Sequence, residues 1–94
     1  MSFFLSFTAS AKQTLKELKE TKHLEKRFKA VVKSLQYLAE NPRHPSLQTH
    51  QYTSVSGPDG EKVFEAYAEQ DTPAAYRIFF YYGRRRGEIV IFAI

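Results

Sequence analysis

Two apolar segments near the end of the chain, AYRIFFYY at residues 75–82 and EIVIFAI at residues 88–94, decide the fold. Both segments are rich in aromatic and β-branched residues, which favour strands. The residues between them begin with Gly83 and end with Gly87, and glycines of this kind are typical of a chain reversal. We therefore predict two strands that pair antiparallel through a short turn.

One residue of the first segment, Arg77, is charged although its neighbours are apolar or aromatic. Side chains alternate between the two faces of a strand, so Arg77 shares one face with Phe79 and Tyr81. The other face is the candidate core face and carries Tyr76, Ile78, Phe80 and Tyr82. Because burial of an unpaired charge costs free energy, Arg77 is expected to face water, a partner or an anion.

The first half of the chain is predicted to form two helices. A short apolar strand at residues 3–7 precedes the first helix, which we place at about residues 9–20 because Ser10 begins a capping box. The second helix starts after Thr21 and ends before Pro42, which disfavours the α conformation of the preceding residue. Its apolar residues recur at helical spacing and form an amphipathic stripe, namely Leu24, Phe28, Val31, Val32, Leu35 and Leu38.

The remaining segments complete an α+β pattern. Residues 42–60 are rich in proline and glycine and are predicted to be mainly loop, with a short strand near residues 50–53, and residues 62–69 form another strand. The predicted order is β-α-α-β-β-β, in a single domain over residues 1–94. We expect the two-helix hairpin to pack on one face of an antiparallel sheet of about four strands, which leaves the face of Arg77 open.

Composition excludes several classes of protein. The chain contains no cysteine, which excludes a disulfide framework, a thiolate metal site and a cysteine nucleophile. Neither a membrane span nor a signal peptide is predicted, so we expect a cytoplasmic protein with no membrane partner. No spacing of histidines and carboxylates suggests a metal site, and no cofactor is expected. The net charge of +4 favours an anionic partner only weakly.

The strand residues around Arg77 offer candidates for chemistry, each with a structural alternative. Glu65, on the preceding strand, is a candidate general base if it shares a face with Arg77, or else an ordinary carboxylate paired with it. Phe79 and Tyr81 flank the guanidinium and form a platform on which unstacked bases can stack, although burial under a loop or a partner explains them equally well. His44 and His50 are minor candidates for proton transfer.

The turn between the last two strands carries three consecutive arginines, Arg84, Arg85 and Arg86. Exposed charges are common in such turns and keep a protein soluble. The alternative is that these arginines contact the phosphate backbone of RNA.

Several of these segments together resemble the RelE/ParE superfamily of bacterial toxins from type II toxin-antitoxin systems. The most specific part is Tyr76-Arg77-Ile78-Phe79-Phe80-Tyr81, which resembles the family's Tyr-Arg strand. Residues 4–8 are similar to the opening strand, residues 11–19 to the first helix, and residues 31–42 to the end of the second helix. Val63-Phe64-Glu65 resembles the strand before the Tyr-Arg strand.

The resemblance implies a function and a set of roles. Many members are ribosome-dependent endoribonucleases that cut messenger RNA by attack of a 2′-hydroxyl on the neighbouring phosphate without a metal, and a cognate antitoxin neutralises them. It implies that Arg77 contacts the phosphate. Glu65 and Tyr81, which the strand pattern places near Arg77, complete the set of catalytic candidates. Phe79 and the arginines at residues 84–86 are then the candidate RNA contacts.

The chain also differs from the nucleases of that family. They often place Lys or Arg on the preceding strand, where this chain has Glu65, Tyr67 and Glu69, and they carry further catalytic residues just beyond the last strand, past Ile94. Two alternatives to a nuclease function therefore remain. One is a gyrase-inhibiting toxin without nuclease activity, and the other is a protein of the toxin fold that lacks toxicity and binds a protein or RNA partner.

Overall fold

A computed structural model describes residues 2–69 and 75–94 of the chain. The strands are β1 (Phe4–Phe7), β2 (His50–Ser56), β3 (Lys62–Tyr67), β4 (Arg77–Tyr82) and β5 (Glu88–Ala93). The helices are α1 (Ala9–Glu20) and α2 (Glu25–Glu40), and two short 3₁₀ helices lie at Lys22–Leu24 and Pro45–Leu47. The predicted α+β class is confirmed, and so is the predicted order of elements apart from one additional strand after the helices.

The sheet is larger than predicted and is mixed rather than purely antiparallel. Its strand order is β1-β5-β4-β3-β2, with five strands. β1 lies parallel to β5 at one edge, while the other neighbours are antiparallel. The short strand expected near residues 50–53 is a full edge strand, β2, which extends to Ser56. The position of β3 between β2 and β4 determines which side chains meet at the candidate site.

Local signals explain where the helices begin and end. The side-chain oxygen of Thr8 accepts a hydrogen bond from the amide of Ala11 at 3.2 Å, so Thr8 caps α1 in place of the expected Ser10. Thr21 precedes a 3₁₀ turn, and α2 follows that turn. Asn41, before Pro42, ends α2 in an extended conformation.

The helices cover one face of the sheet and bury the core there. The buried cluster draws on both helices and on the central strands, and its members include Leu18, Val31, Leu35, Leu38, Ile78, Phe80, Ile89 and Ile91. The predicted sidedness of β4 is confirmed at Ile78 and Phe80, which are fully buried. Tyr82, also expected in the core, is 42% exposed because it lies at the strand end. We call the sheet face opposite the helices the open face.

A β-bulge in β5 shapes the open face. Phe79 pairs with Ala93 and Phe80 pairs with Ile91, so β5 has one residue more than β4 between these two pairs, and that residue is Phe92. The ring of Phe92 lies 6.4 Å from the ring of Phe79, between centroids. The bulge therefore places a third aromatic ring beside the two that were predicted on this face.

No helix within residues 2–69 and 75–94 is both long and apolar enough to cross a membrane.

Candidate functional site

The open face carries a buried carboxylate, Glu65, at the centre of the sheet. Glu65 pairs in register with His50 on β2 and with Phe79 on β4, and Tyr67 pairs with Arg77. Because alternate residues of a strand share a face, all five side chains lie on the open side. We call His50, Glu65, Tyr67 and Arg77 the Glu65 cluster.

Both oxygens of the Glu65 carboxylate have partners, although only 3% of the residue is exposed. Oε1 lies 2.7 Å from Nε2 of His50, and Oε2 accepts a hydrogen bond from Nη1 of Arg77 at 3.3 Å. A carboxylate taken out of water costs free energy unless charged or polar donors replace its hydration. The imidazole and the guanidinium supply those donors, so the sheet holds the carboxylate in a fixed place.

His50 is oriented by acceptors on both sides of its ring. Nδ1 lies 3.0 Å from the carbonyl oxygen of Gln48, and Nε2 faces Glu65. A neutral imidazole has one N–H and can satisfy only one of these acceptors, whereas the cationic ring satisfies both. The ring of His50 is thus held between two acceptors, which fixes its orientation towards Glu65.

Arg77 lies over the ring of Tyr67, with its Cζ atom 5.1 Å from the ring centroid. The ring of His50 approaches the same tyrosine at 5.8 Å, between centroids. The side chain of Arg77 is 48% exposed, so its guanidinium reaches solvent while one nitrogen contacts Glu65. A planar group with several N–H donors, held on an aromatic face, is suited to bind phosphate oxygens.

The structure places Tyr81 apart from this cluster. Tyr81 is four residues further along β4 than Arg77, which is about 13 Å at roughly 3.3 Å per residue. It borders a separate cavity of about 350 Å³ whose lining includes Asp59, Glu61 and Glu88. Burial raises the pKa of Tyr81, and the negative charge of Glu61 raises it further. Of the three catalytic candidates, only Glu65 and Arg77 are therefore in contact.

Two of the three turn arginines already have acidic partners. Nη2 of Arg84 donates to Oδ2 of Asp59 at 2.6 Å, and this hydrogen bond raises the pKa of Arg84. Arg85 donates to Oε2 of Glu88 at 3.2 Å. Arg86 is exposed. An RNA phosphate would have to compete with a carboxylate at Arg84 and Arg85, and the predicted RNA contact of this turn stays a prediction.

Glu88 also has a second donor, across the β1–β5 pair. The hydroxyl of Ser6 donates to Oε2 of Glu88 at 2.7 Å. Together with the hydrogen bond from Arg85, this contact lowers the pKa of Glu88. The turn is therefore tied to the edge strand by a structural hydrogen-bond network.

Phe79 belongs to a row of aromatic rings that crosses the open face. Tyr52 contacts it from β2 in an edge-on geometry at 5.1 Å, and Phe92 contacts it from β5. Phe92 in turn approaches Tyr81 at 5.8 Å. Phe79 is only partly buried in this row, so part of its ring remains accessible next to Arg77.

His44, the other imidazole considered, has a local structural role. Its ring stacks on Tyr37 with a centroid distance of 3.9 Å and an interplanar angle of 11°. Its Nδ1 accepts a hydrogen bond from the amide of Ser46 at 3.1 Å and so caps the 3₁₀ helix Pro45–Leu47. These contacts account for His44 without a role in proton transfer.

Sequence reasoning did not single out Tyr67 as a site residue and gave His50 little weight. Tyr67 was identifiable, because it follows Glu65 by two residues and so shares its face. The contact of His50 with Glu65 depends on the register of β2 against β3 across the loop at residues 57–61, which the sequence does not specify.

Within the described residues, no group of three or more His, Cys, Asp or Glu side chains is arranged to hold a metal ion. Comparisons of the chain with known protein families, curated protein sequences and solved structures find no match.

Proposed function

We propose that this protein is the toxin of a type II toxin-antitoxin system and cleaves ribosome-bound messenger RNA in the cytoplasm without a metal ion. The observation that carries the proposal is the Glu65 cluster, in which a buried carboxylate lies between an imidazole and a guanidinium on the open face. The resemblance of the Tyr76-Arg77 strand to the RelE/ParE superfamily supports the biological setting. The cluster itself supports the chemistry.

The reaction begins with attack of a ribose 2′-hydroxyl on the adjacent phosphate. It requires a base for the hydroxyl proton and a positive charge against the developing dianionic phosphorane. Glu65 is the base and Arg77 is the cation. The proposed step requires the guanidinium of Arg77 to move off Oε2 of the buried Glu65 and bind phosphate oxygens, which admits the 2′-hydroxyl to Oε2, while His50 retains Oε1.

The leaving 5′-oxygen needs a proton from the opposite side of the phosphate, because attack and departure occur in line. His50 touches Glu65 and therefore lies on the side of the base. Tyr67 contacts both Arg77 and His50 and carries the one hydroxyl group of the Glu65 cluster, so it is the candidate donor. The products are a 2′,3′-cyclic phosphate and a free 5′-hydroxyl, and the proton taken by Glu65 balances the proton given to the leaving oxygen.

The open face also suits a regulatory partner. It presents partly exposed aromatic rings next to charged groups, and surfaces of this kind are usually covered by a ligand or a protein. In the proposed system the cognate antitoxin covers this face and blocks access to Arg77. Growth arrest by the free protein, relieved by the antitoxin, follows from that arrangement.

The proposal is tested by induced expression in bacteria of the wild-type protein, of Arg77→Ala and of a control, Lys29→Ala. Lys29 is 75% exposed on α2 and forms an ion pair with Glu25 one turn earlier. We expect growth arrest with cleavage of translated transcripts for the wild type and the control, and neither effect for Arg77→Ala. Cleavage that persists in Arg77→Ala would exclude Arg77 as a catalytic residue.

Two other outcomes point to the alternative functions. Arrest with DNA damage and intact messenger RNA indicates a gyrase inhibitor. Absence of arrest, with the protein present in folded form, indicates a non-toxic binding protein.

A further inference from the structure

A cavity of about 460 Å³ lies between the loop that follows α2 and the strands β2, β3 and β4. It is on the helix side of the sheet, beyond the end of α2, because Phe64 and Tyr82 share the face of the buried Phe80. The loop and β2 contribute Arg43 and Gln51 to its lining. Cavities of this volume are in the range that holds a small ligand or one unit of a polymer.

Two aromatic rings form the wall of this cavity on the side of the sheet. Phe64 is fixed against the core, since its ring stacks on the ring of Phe80 at 5.7 Å between centroids. Tyr82 meets Phe64 edge-on at 5.6 Å and is 42% exposed. A partly exposed ring on a rigid support offers a surface on which a planar group such as a nucleobase can stack.

The loop contributes a guanidinium group, Arg43, whose residue is exposed. Within residues 2–69 and 75–94, no carboxylate forms an ion pair with Arg43. No acidic side chain of this part of the chain lines the cavity either. The guanidinium is therefore available to an anion, and its planar fork fits the oxygens of a phosphate.

Hydrogen bonds hold the loop that carries Arg43. The amide of Arg43 donates to Oδ1 of Asn41 at 3.0 Å, and the hydroxyl of Thr49 donates to the carbonyl oxygen of Pro42 at 2.6 Å. Leu47 anchors the same loop in the core with none of its surface exposed. A binding group on a fixed loop requires little ordering of the backbone when a ligand binds.

We propose that this cavity binds a nucleoside monophosphate group, with its base against Tyr82 and its phosphate at Arg43. The side-chain amide of Gln51 can donate to or accept from the edge of the base. The choice of a nucleotide rests on the proposed function, because His50 lines this cavity and also contacts Glu65. The group belongs either to a free nucleotide or to an RNA strand that extends past His50 from the cleaved bond.

The test measures binding of adenosine 5′-monophosphate, of adenosine and of inorganic phosphate by NMR titration of the backbone amides. We expect the monophosphate to bind about tenfold more tightly than adenosine or phosphate, because it alone engages both Arg43 and Tyr82. Its binding should shift the amide signals of Arg43, Thr49 and Gln51. The signals of the turn at residues 84–86 should stay unchanged.

Two substitutions separate the contributions of charge and stacking. Arg43→Gln should weaken binding of the monophosphate about tenfold, to the level of adenosine. Tyr82→Leu should weaken it about five- to hundredfold through the lost stack, whereas Tyr82→Phe keeps the ring and should match the wild type. Lys29→Gln removes one exposed charge from α2, outside the cavity, and should also match it. Circular dichroism of Arg43→Gln and Tyr82→Leu separates lost binding from lost folding.

A dinucleotide made with 2′-deoxyribose, which lacks the attacking hydroxyl and cannot be cleaved, distinguishes the two sources of the group. If the cavity serves an RNA strand, the dinucleotide shifts the amide signals of Tyr67 and Arg77 as well as that of Arg43. Arg77→Ala should then weaken binding of the dinucleotide but not of the monophosphate. If only the monophosphate shifts the signal of Arg43, the ligand is a free nucleotide.

Equal affinity of the wild type for the monophosphate and for adenosine would overturn the site, and so would unchanged binding of the monophosphate by Arg43→Gln. None of these measurements depends on cleavage, so the site can be confirmed in a protein that proves not to be a nuclease. Conversely, a nuclease whose binding of the monophosphate ignores Arg43 refutes the site alone.

Discussion

Replacement of Glu65 by glutamine separates the chemical role of the carboxylate from its structural role. The amide has nearly the same shape, but it can offer an oxygen to only one of its two partners. The other partner then faces an NH₂ group. The negative charge that faces both partners is therefore lost, although Arg77 can still donate to the amide oxygen, and the side chain stays buried between His50 and Arg77.

The expected loss of stability follows from the exposure of these partners. A hydrogen bond to a charged group contributes about 1.5–3 kcal/mol, whereas an ion pair with exposed groups contributes about 0–1 kcal/mol. His50 and Arg77 are 46% and 48% exposed, so water replaces part of what they lose. The neutral amide is also less costly to bury. We expect Glu65→Gln to lower the free energy of unfolding by about 1–2 kcal/mol, and Tm by roughly 5–15 °C.

The expected loss of activity is much larger than the loss of folded protein can explain. A small domain with about 5 kcal/mol of stability keeps roughly 3 kcal/mol after the substitution, and the folded form still exceeds the unfolded form by about 150 to 1. Removal of a general base slows a reaction by about 10²–10⁴-fold. Unfolding cannot account for such a decrease at 25 °C.

The assay combines urea denaturation, followed by circular dichroism, with single-turnover cleavage of messenger RNA on ribosomes. Glu25→Gln is the matched control, because Glu25 is 70% exposed and its ion pair is with the exposed Lys29. Cleavage by Glu65→Gln within about threefold of the wild type would refute the role of Glu65 as base. A loss of stability without loss of cleavage would leave it a structural carboxylate.

Three further predictions concern the sheet and its edges. Phe80→Ala, at a fully buried position, should lower the free energy of unfolding in urea by about 3–5 kcal/mol. Ser6→Ala should raise the pKa of Glu88, measured by NMR titration, because the hydroxyl of Ser6 lowers that pKa in the folded protein. The ionised Glu88 therefore stabilises the fold at pH values above the ordinary carboxyl pKa. This stabilisation is lost as the pH falls through the pKa of Glu88 in the folded protein. Glu61→Gln should lower the pKa of Tyr81, measured by ultraviolet titration. The part of the rise in pKa that burial causes should remain.

The helical stripe and the alternation in β4 were sufficient to predict the fold class. Both patterns are local, since each residue's face depends only on its neighbours in sequence. The same rule left open whether Glu65 shares the face of Arg77, which the register of β3 against β4 decides. The pairing of strands that are distant in sequence cannot be predicted from such local patterns. The parallel pairing of β1 with β5 joins residues more than eighty positions apart, and no periodicity in either strand specifies it.

The parts of the site that sequence reasoning missed come from such distant pairings. His50 reaches Glu65 only because β2 adds to the outer edge of β3 in one particular register. The first turn of α2 likewise brings Arg27 over the ring of Tyr76, just before β4 begins. In the sequence, Arg27 is one of many basic residues on the helices, and nothing nearby distinguishes it.

The position of Glu65 is itself an argument for chemistry. Val63, two residues earlier on the same strand and therefore on the same face, is fully buried, so this part of the open face accepts an apolar side chain. Replacement of a buried ion pair by packed apolar residues is often neutral or stabilising, because the desolvation of the charges is avoided. Stability alone therefore does not explain a carboxylate at position 65, held by an imidazole on one side and a guanidinium on the other. The proposed proton transfer next to a bound phosphate gives this carboxylate a use, as a base beside a cation that binds phosphate.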